Sequence, residues 1–242
     1  MMKKLHLSLA LTLLLSPVVG NSGQLVELFT SQGCYSCPPA DKLLGELIEE
    51  NPDLVALEFH VDYWDDLHYG AAGVWKDPFS DASYTLRQRL YNSTNLVGKR
   101  GVYTPQMIVN GRVAQVGSSE RAVRRALQSG EPEIDLTASI EADRLSVDIK
   151  GTRNRGTILW LAVFDQLQVT EVTHGENHGK TMVNHHVVRE LVPLAQWRGN
   201  KTSQTFQLAS LSSDISVTGN TRCAVFLQDE SLGDIRGATY CK

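Results

Sequence analysis

Val26-Glu27-Leu28-Phe29-Thr30-Ser31-Gln32-Gly33-Cys34-Tyr35-Ser36-Cys37-Pro38-Pro39-Ala40-Asp41 is the stretch from which the expected fold is built. Its first residues belong to an apolar strand over 24–30. Its last residues open a helix over 38–50, with Leu43, Leu44, Leu47 and Ile48 recurring on one face. Pro38 and Pro39 fit the first helical turn, where missing N–H groups cost nothing. The two cysteines therefore stand between a strand and a helix N-terminus, spaced so that their sulfurs meet across one turn. A helix start favours the thiolate, the reactive form of cysteine. In this reading Cys34 is the exposed attacking thiol and Cys37 the more buried resolving thiol. Tyr35 and Ser36 tune the pair, with Tyr35 placed to meet a substrate.

Outward from this point, 54–61 reads as a second strand, completing a β-α-β unit with parallel strands and a right-handed crossover. A polar, aromatic-rich insertion follows over about 62–99, with a helix around 80–91. A third strand (106–109), the hairpin turn Asn110-Gly111, a returning strand (112–116) and a helix (118–128) complete the half. The order β-α-β, insertion, β-β-α is that of the thioredoxin fold. Parallel first and second strands would end at one sheet edge, and an antiparallel third would start there. Cys34, the segment His60-Val61-Asp62-Tyr63-Trp64-Asp65 and Thr104-Pro105 are then expected to converge. Thr104-Pro105 directly precedes the third strand, where thioredoxin folds carry a cis-proline whose neighbour binds substrate; a simple turn is the plainer alternative. Asp62 and Trp64 are further candidate substrate contacts. His60 or Asp62 is a candidate proton-transfer partner for Cys37, set against a core histidine and a solvated turn.

Residues 133–242 read almost wholly as strands, at 134–140, 145–150, 158–164, 185–194, 203–208, 223–228 and 235–241. Such spacing suggests a β-sandwich. The expected architecture is thus an α/β thioredoxin-like domain over 21–130 followed by an all-β sandwich-like domain over 133–242, joined at Ser129-Gly130-Glu131-Pro132. The loop His174-Gly175-Glu176-Asn177-His178-Gly179-Lys180 reads as a long surface loop. His185 and His186 follow it, but neighbours in a strand point to opposite faces, which disfavours a shared metal site. Cys223 and Cys241 are symmetric about Leu232 in the turn Glu230-Ser231-Leu232-Gly233. A hairpin there would set them face to face in a structural disulfide.

Residues 1–20 have the pattern of a signal peptide. Lys3 and Lys4 precede an apolar stretch over 5–15 that is too short for a membrane span, and small residues follow. Losing the leader with its two lysines takes the formal charge from −4 to −6. An acidic chain without a basic stripe is a poor nucleic-acid binder, and Arg121, Arg124 and Arg125 fit a solvated helix face. Export places the four cysteines in an oxidising compartment, periplasmic or extracellular, with no membrane span after cleavage.

The opening stretch, together with His60-Val61-Asp62-Tyr63-Trp64, Trp75-Lys76-Asp77-Pro78-Phe79, Tyr103-Thr104-Pro105-Gln106-Met107 and Gly175-Glu176-Asn177, resembles the bacterial DUF1223 family. The resemblance implies a thioredoxin-like fold and export, and no established substrate or reaction. Tyr35 stands where the family often has a small residue, and the terminal cysteine pair is less typical of it. Three functions are compatible with these residues. The first is a thiol–disulfide oxidoreductase working through Cys34 and Cys37 on a protein or small-molecule thiol or disulfide, with a possible redox partner and no cofactor. The second is a copper-handling protein binding Cu(I) through the same cysteines, with His60 as a third ligand. The third is a binding module with a static disulfide.

Overall fold

The computed structural model describes residues 22–94, 96–128, 130, 132–152, 156–211, 217–230 and 232–242. The expected signal peptide lies outside the described residues, as do Ser129 and Glu131 of the expected linker. The first strand, β1 (Leu25–Thr30), is followed by α1 (Pro38–Glu50) and β2 (Val55–His60). Next come α2 (Ala82–Asn92), the short β3 (Val97–Gly98), β4 (Gln106–Val109), β5 (Val113–Val116) and α3 (Glu120–Leu127). Then follow β6 (Asp135–Glu141), β7 (Arg144–Lys150), β8 (Thr157–Glu171), β9 (Thr181–Trp197) and β10 (Thr202–Gln207). The chain closes with α4 (Leu208–Leu211), β11 (Thr221–Asp229) and β12 (Ile235–Tyr240).

Nine of these strands form one mixed sheet in the order β12-β11-β8-β9-β2-β1-β4-β5-β3. Strands β6, β7 and β10 form a second, smaller sheet. This corrects the expected fold class. The protein is mostly β, and it is not an α/β thioredoxin-like domain followed by a separate sandwich. Strands β8, β9, β11 and β12 of the second half continue the sheet that β1 and β2 begin, through the parallel contact of Glu58 with Val187. The physical reason lies in the apolar run over 158–164. A strand buried on both faces needs cover on each side, and local periodicity does not say which part of the chain provides it.

Three apolar cores follow from this layout. On one face, Phe29, Phe59, Phe164 and Phe226 of the large sheet pack with Tyr84 and Tyr91 of α2. On the opposite face, α1 and α3 cover Val26, Leu28, Ala56 and Met107. The small sheet covers Leu159, Leu161, Val225 and Leu227 on that face. A charged pair is buried within the first core, where Arg87 Nε donates to Glu27 Oε1 at 2.7 Å. Tyr91 and Gln228 complete its hydrogen bonds.

The edge geometry around the cysteines is as the strand directions required. β1 and β2 run parallel, with Thr30 opposite His60. β4 runs antiparallel to β1, with Gln106 opposite Phe29. The ends of β1 and β2 and the start of β4 therefore share one end of the sheet.

Candidate functional site

Cys34 and Cys37 form a disulfide at the start of α1, with Cys37 in the N-cap position. The turn is closed by Cys34 N–H to Ser31 O at 3.1 Å and Cys37 N–H to Cys34 O at 3.2 Å. The Thr104-Pro105 bond is cis. Gly117 shows that Pro105 lies near the first turn of α1. A Cβ there would lie 3.1 Å from both the Ala40 Cβ in the first turn of α1 and the Pro105 Cβ. Trp64 closes another side, its Nε1 donating to Thr104 Oγ1 at 2.8 Å while its Cβ packs on Gly33. Asp62 points elsewhere, because its Oδ1 accepts from Thr85 of α2 at 2.6 Å.

One expectation fails here. Cys34 is not exposed: both Cys34 and Cys37 have 0% of their surface open, whereas Tyr35 between them is 66% exposed. The cover comes from the second half of the chain. Asn177, fully buried, donates through Nδ2 to Gln32 O at 2.8 Å and to Cys34 O at 2.9 Å. Glu176 Oε2 accepts the Tyr35 N–H at 2.8 Å. Lys180 bonds Asn177 Oδ1 at 2.8 Å and lies 4.2 Å from the Tyr35 ring centroid. The loop expected to be a plain surface loop is thus a latch on the Cys34 turn.

Beneath the turn lies a buried polar cluster. His60 Nδ1 is 2.8 Å from Asp77 Oδ2, and its Nε2 makes a 3.2 Å ion-pair approach to Glu58 without the alignment of a hydrogen bond. Burial alone would lower the His60 pKa. The Asp77 and Glu58 carboxylates outweigh it and raise the value to about 10, so the imidazole is charged at neutral pH. Burial pushes Asp77 up, yet the His60 charge and the N–H groups of Gln32 and Phe79 hold it below the ordinary carboxylate range. Glu58 accepts from Asn184 Nδ2 at 2.6 Å and from the His185 N–H at 2.8 Å. Asn184 in turn accepts from Gln32 Nε2 at 2.9 Å, which ties the cluster to the turn before Cys34. Asp41 of α1 accepts from Thr30 Oγ1 at 2.7 Å, and its other oxygen is buried without a partner. Burial and then the Glu58 charge push the Asp41 carboxyl well above the usual range.

His60 is therefore a core ion-pair histidine with both nitrogens engaged, and it is not turned toward the sulfurs as a third ligand. His185 lies against Gly45 of α1, while His186 is within 3.0 Å of Ala56 O, so the two histidines do part to different surroundings. Among the described residues no group of three or more histidine, cysteine, aspartate or glutamate side chains is arranged to hold a metal ion. Cys223 and Cys241 form the second disulfide, across the pair β11–β12, with Cys241 N–H bonded to Cys223 O at 2.8 Å.

Residue patterns at the sequence level passed over Asp41, Glu58, Asp77, Glu176, Asn177 and Asn184 as parts of the site. A signal existed for Glu58, a carboxylate inside the otherwise apolar run Val55-Ala56-Leu57-Glu58-Phe59. A charge there must be buried and partnered. Asn177 was marked through the Gly175-Glu176-Asn177 motif of the family resemblance, but nothing local names its partners, 143 and 145 residues away.

The family model described as "Protein of unknown function (DUF1223)" matches residues 25–228. Among solved structures, the crystal structure of a protein from Agrobacterium tumefaciens is 30% identical, with a TM-score of 0.73. The match covers 90% of this chain and 92% of that one. HBP35 of Porphyromonas gingivalis shares 13% identity over 91% of this chain and 74% of its own, with a TM-score of 0.54, a likeness of fold alone. No curated protein matches the chain.

Proposed function

The chain belongs to the DUF1223 family, and we propose that it is an exported thiol–disulfide exchange protein whose reacting atoms are the sulfurs of Cys34 and Cys37. The observation that carries the reading is the setting of that disulfide. It caps a helix start whose first turn, at Ala40, shares Gly117 with the cis-bonded Pro105, and it stands beside a buried cluster of acids and an imidazole. A disulfide needed only as a staple has no use for that surrounding.

In the exchange, a substrate thiolate attacks the sulfur of Cys34 and the Cys34–Cys37 bond breaks, giving a mixed disulfide. A second substrate thiol then resolves it, leaving both cysteines reduced and the substrate oxidised. The reverse sequence reduces a substrate disulfide, with Cys37 attacking the mixed disulfide on Cys34. Either direction needs Cys34 uncovered, so the latch formed by Glu176, Asn177 and Lys180 must release the turn. Thr104 and Pro105, with Trp64 behind them and Tyr35 at the rim, form the surface against which the substrate lies. Asp62, held by Thr85, supports α2 rather than the substrate.

Export follows in this reading from the leader and the two disulfides, which persist in oxidising compartments. No helix among the described residues is long and apolar enough to cross a membrane. The test is the reduction potential of Cys34–Cys37 against glutathione, read by mass after alkylation with Cys223–Cys241 intact. A value between roughly −120 and −270 mV, the span of exchange catalysts, is expected. A value below about −300 mV, where structural disulfides lie, overturns the proposal.

A further inference from the structure

The outer part of β9 carries a strand edge that no other described strand takes up. In an antiparallel pair, residues that exchange both hydrogen bonds alternate with residues whose N–H and C=O point away. The Val172 N–H bonds Lys180 O at 2.9 Å, and the register continues through Thr170 opposite Met182 and Gln168 opposite Asn184. The residues between, Thr181, Val183 and His185, therefore turn their peptide groups away from β8. The His185 N–H does so visibly, since it bonds Glu58 Oε2 at 2.8 Å. Among the described residues β2 pairs with β9 only at Val187. The outward N–H and C=O groups of Thr181 and Val183 thus have no strand beside them.

Beside that edge runs a groove of about 410 Å³, closed on its far side by α1 and lined by Pro38, Lys42, Gly45, Lys180, Val183 and His185. Donors and acceptors repeated at strand spacing match an extended main chain, which is why an unpaired edge is a template for another strand. Val183 is 44% exposed, and Val169 directly across the ladder and Leu167 are exposed as well. This apolar stripe suits the alternate side chains of such a strand. The end of the groove nearest the disulfide, at Pro38 and Lys180, is cationic. Lys42 there is paired with Glu46. Lys180 has no carboxylate at ion-pair distance among the described residues; it donates to Asn177 Oδ1 at 2.8 Å and lies over the Tyr35 ring.

We propose that the groove between α1 and β9 binds an extended, acidic polypeptide segment as a strand added to β9, and that a carboxylate of this segment draws Lys180 away from Asn177. The inference rests on the exchange reading above, and it makes the substrate a polypeptide rather than a small thiol. It also supplies the release that the buried Cys34 needs. The Asn177 side chain is fixed by three hydrogen bonds, two given to Gln32 O and Cys34 O and one taken from Lys180. Lys180 belongs to both the groove and the latch, so filling the first loosens the second. Binding at β9 and uncovering of the Cys34 turn become one event.

The experiment pairs peptide binding with disulfide opening in the oxidised protein. The probe is a fluorescein-labelled synthetic peptide of alternating valine and threonine with a central aspartate. Its control is the same peptide N-methylated at alternate amides, which keeps every side chain and removes the donors of one edge. Fluorescence anisotropy should show the probe bound and the control at least about tenfold weaker. Val183→Pro, which deletes an outward N–H at a strand edge, should weaken the probe about fivefold. Saturating probe should speed the opening of Cys34–Cys37 by dithiothreitol about tenfold, the worth of one hydrogen bond to a charged group. Lys180→Gln should open at that faster rate without peptide and gain nothing from it. Equal binding of the N-methylated control, or equal acceleration of Lys180→Gln by the probe, overturns the proposal and leaves exchange standing. Sedimentation that finds a dimer, dissociated by Val183→Pro, makes a second copy the occupant and overturns it as well. A disulfide that dithiothreitol does not open, with or without peptide, overturns the exchange reading, while the anisotropy still decides the groove.

Discussion

The two disulfides are the same bond in opposed settings. Cys223–Cys241 joins directly facing residues of a hairpin, and Cys223 lies in an apolar core with Leu159, Val225 and Leu227. Cys34–Cys37 joins two ends of a single turn above His60, Asp77, Glu58 and Asp41. Exposure ranks them opposite to the proposed roles. Cys34 and Cys37 are sealed, whereas Cys241 is partly open. On the exchange reading proposed above, what separates a reactive disulfide from a staple is the chemistry beneath it and whether its cover can lift.

The strongest way to break the contrast is to remove the imidazole beneath the first disulfide. His60→Ala leaves Glu58 and Asp77 facing each other without their cation, and loss of one partner of a buried ion pair costs about 3–5 kcal/mol. Urea unfolding at pH 6 should show it. The sign of its pH dependence is fixed. His60 is raised to about 10, so its contribution is complete below about 6.5 and is lost as pH rises through 10. Asp77 is depressed, so its contribution is lost as pH falls below the ordinary carboxylate range. The gap between native protein and variant should therefore close at both extremes.

Removing the staple should come next in size. Replacing Cys223 and Cys241 together by alanine frees a loop with a sequence separation of 18, worth about 3 kcal/mol by loop entropy. The same exchange at Cys34 and Cys37 should cost about 2 kcal/mol, since that loop is shorter. Denaturant midpoints measure both. The potential of Cys34–Cys37 should stay unchanged when the staple is absent.

Lifting the cover sharpens the comparison further. Asn177→Ala removes two hydrogen bonds from the Cys34 turn. At about 1 kcal/mol each, reduction of Cys34–Cys37 by dithiothreitol should quicken roughly ten- to thirtyfold. Alkylation and mass mapping should find Cys223–Cys241 reduced at its native rate. The smallest effect is expected from Trp64→Phe, which keeps the packing on Gly33 but loses the bond to Thr104. About 1 kcal/mol of stability should go, visible as a small drop in melting temperature.

Much of this was legible in order along the chain. The helix over 38–50 was fixed by its two prolines and apolar face, and it appears with those bounds. The cross-strand placement of Cys223 and Cys241 followed from their symmetry about Leu232, because a hairpin's register depends on local geometry. The large sheet was not legible. The contact of Glu58 with Val187 joins residues 129 positions apart, and neither strand encodes its partner in its own periodicity. Strands β8 and β9 also run to 15 and 17 residues. Their outer ends lie beyond the continuous apolar runs; Gln166-Leu167-Gln168-Val169-Thr170 does alternate, but its apolar residues are few and partly exposed. Asn177 was hidden for the same reason, since its meaning lies in the backbone of Gln32 and Cys34.

The latch has a consequence for the order in which the protein is made. Glu176 and Asn177 meet partners 141 to 145 positions earlier in the chain. A polypeptide emerging amino end first presents Cys34 and Cys37 long before their cover exists. Over that interval they are the only cysteines yet synthesised, because Cys223 is still to come. Of the three pairings that four cysteines allow, vectorial emergence leaves a single one open to the first pair, and the second pair then has no choice left.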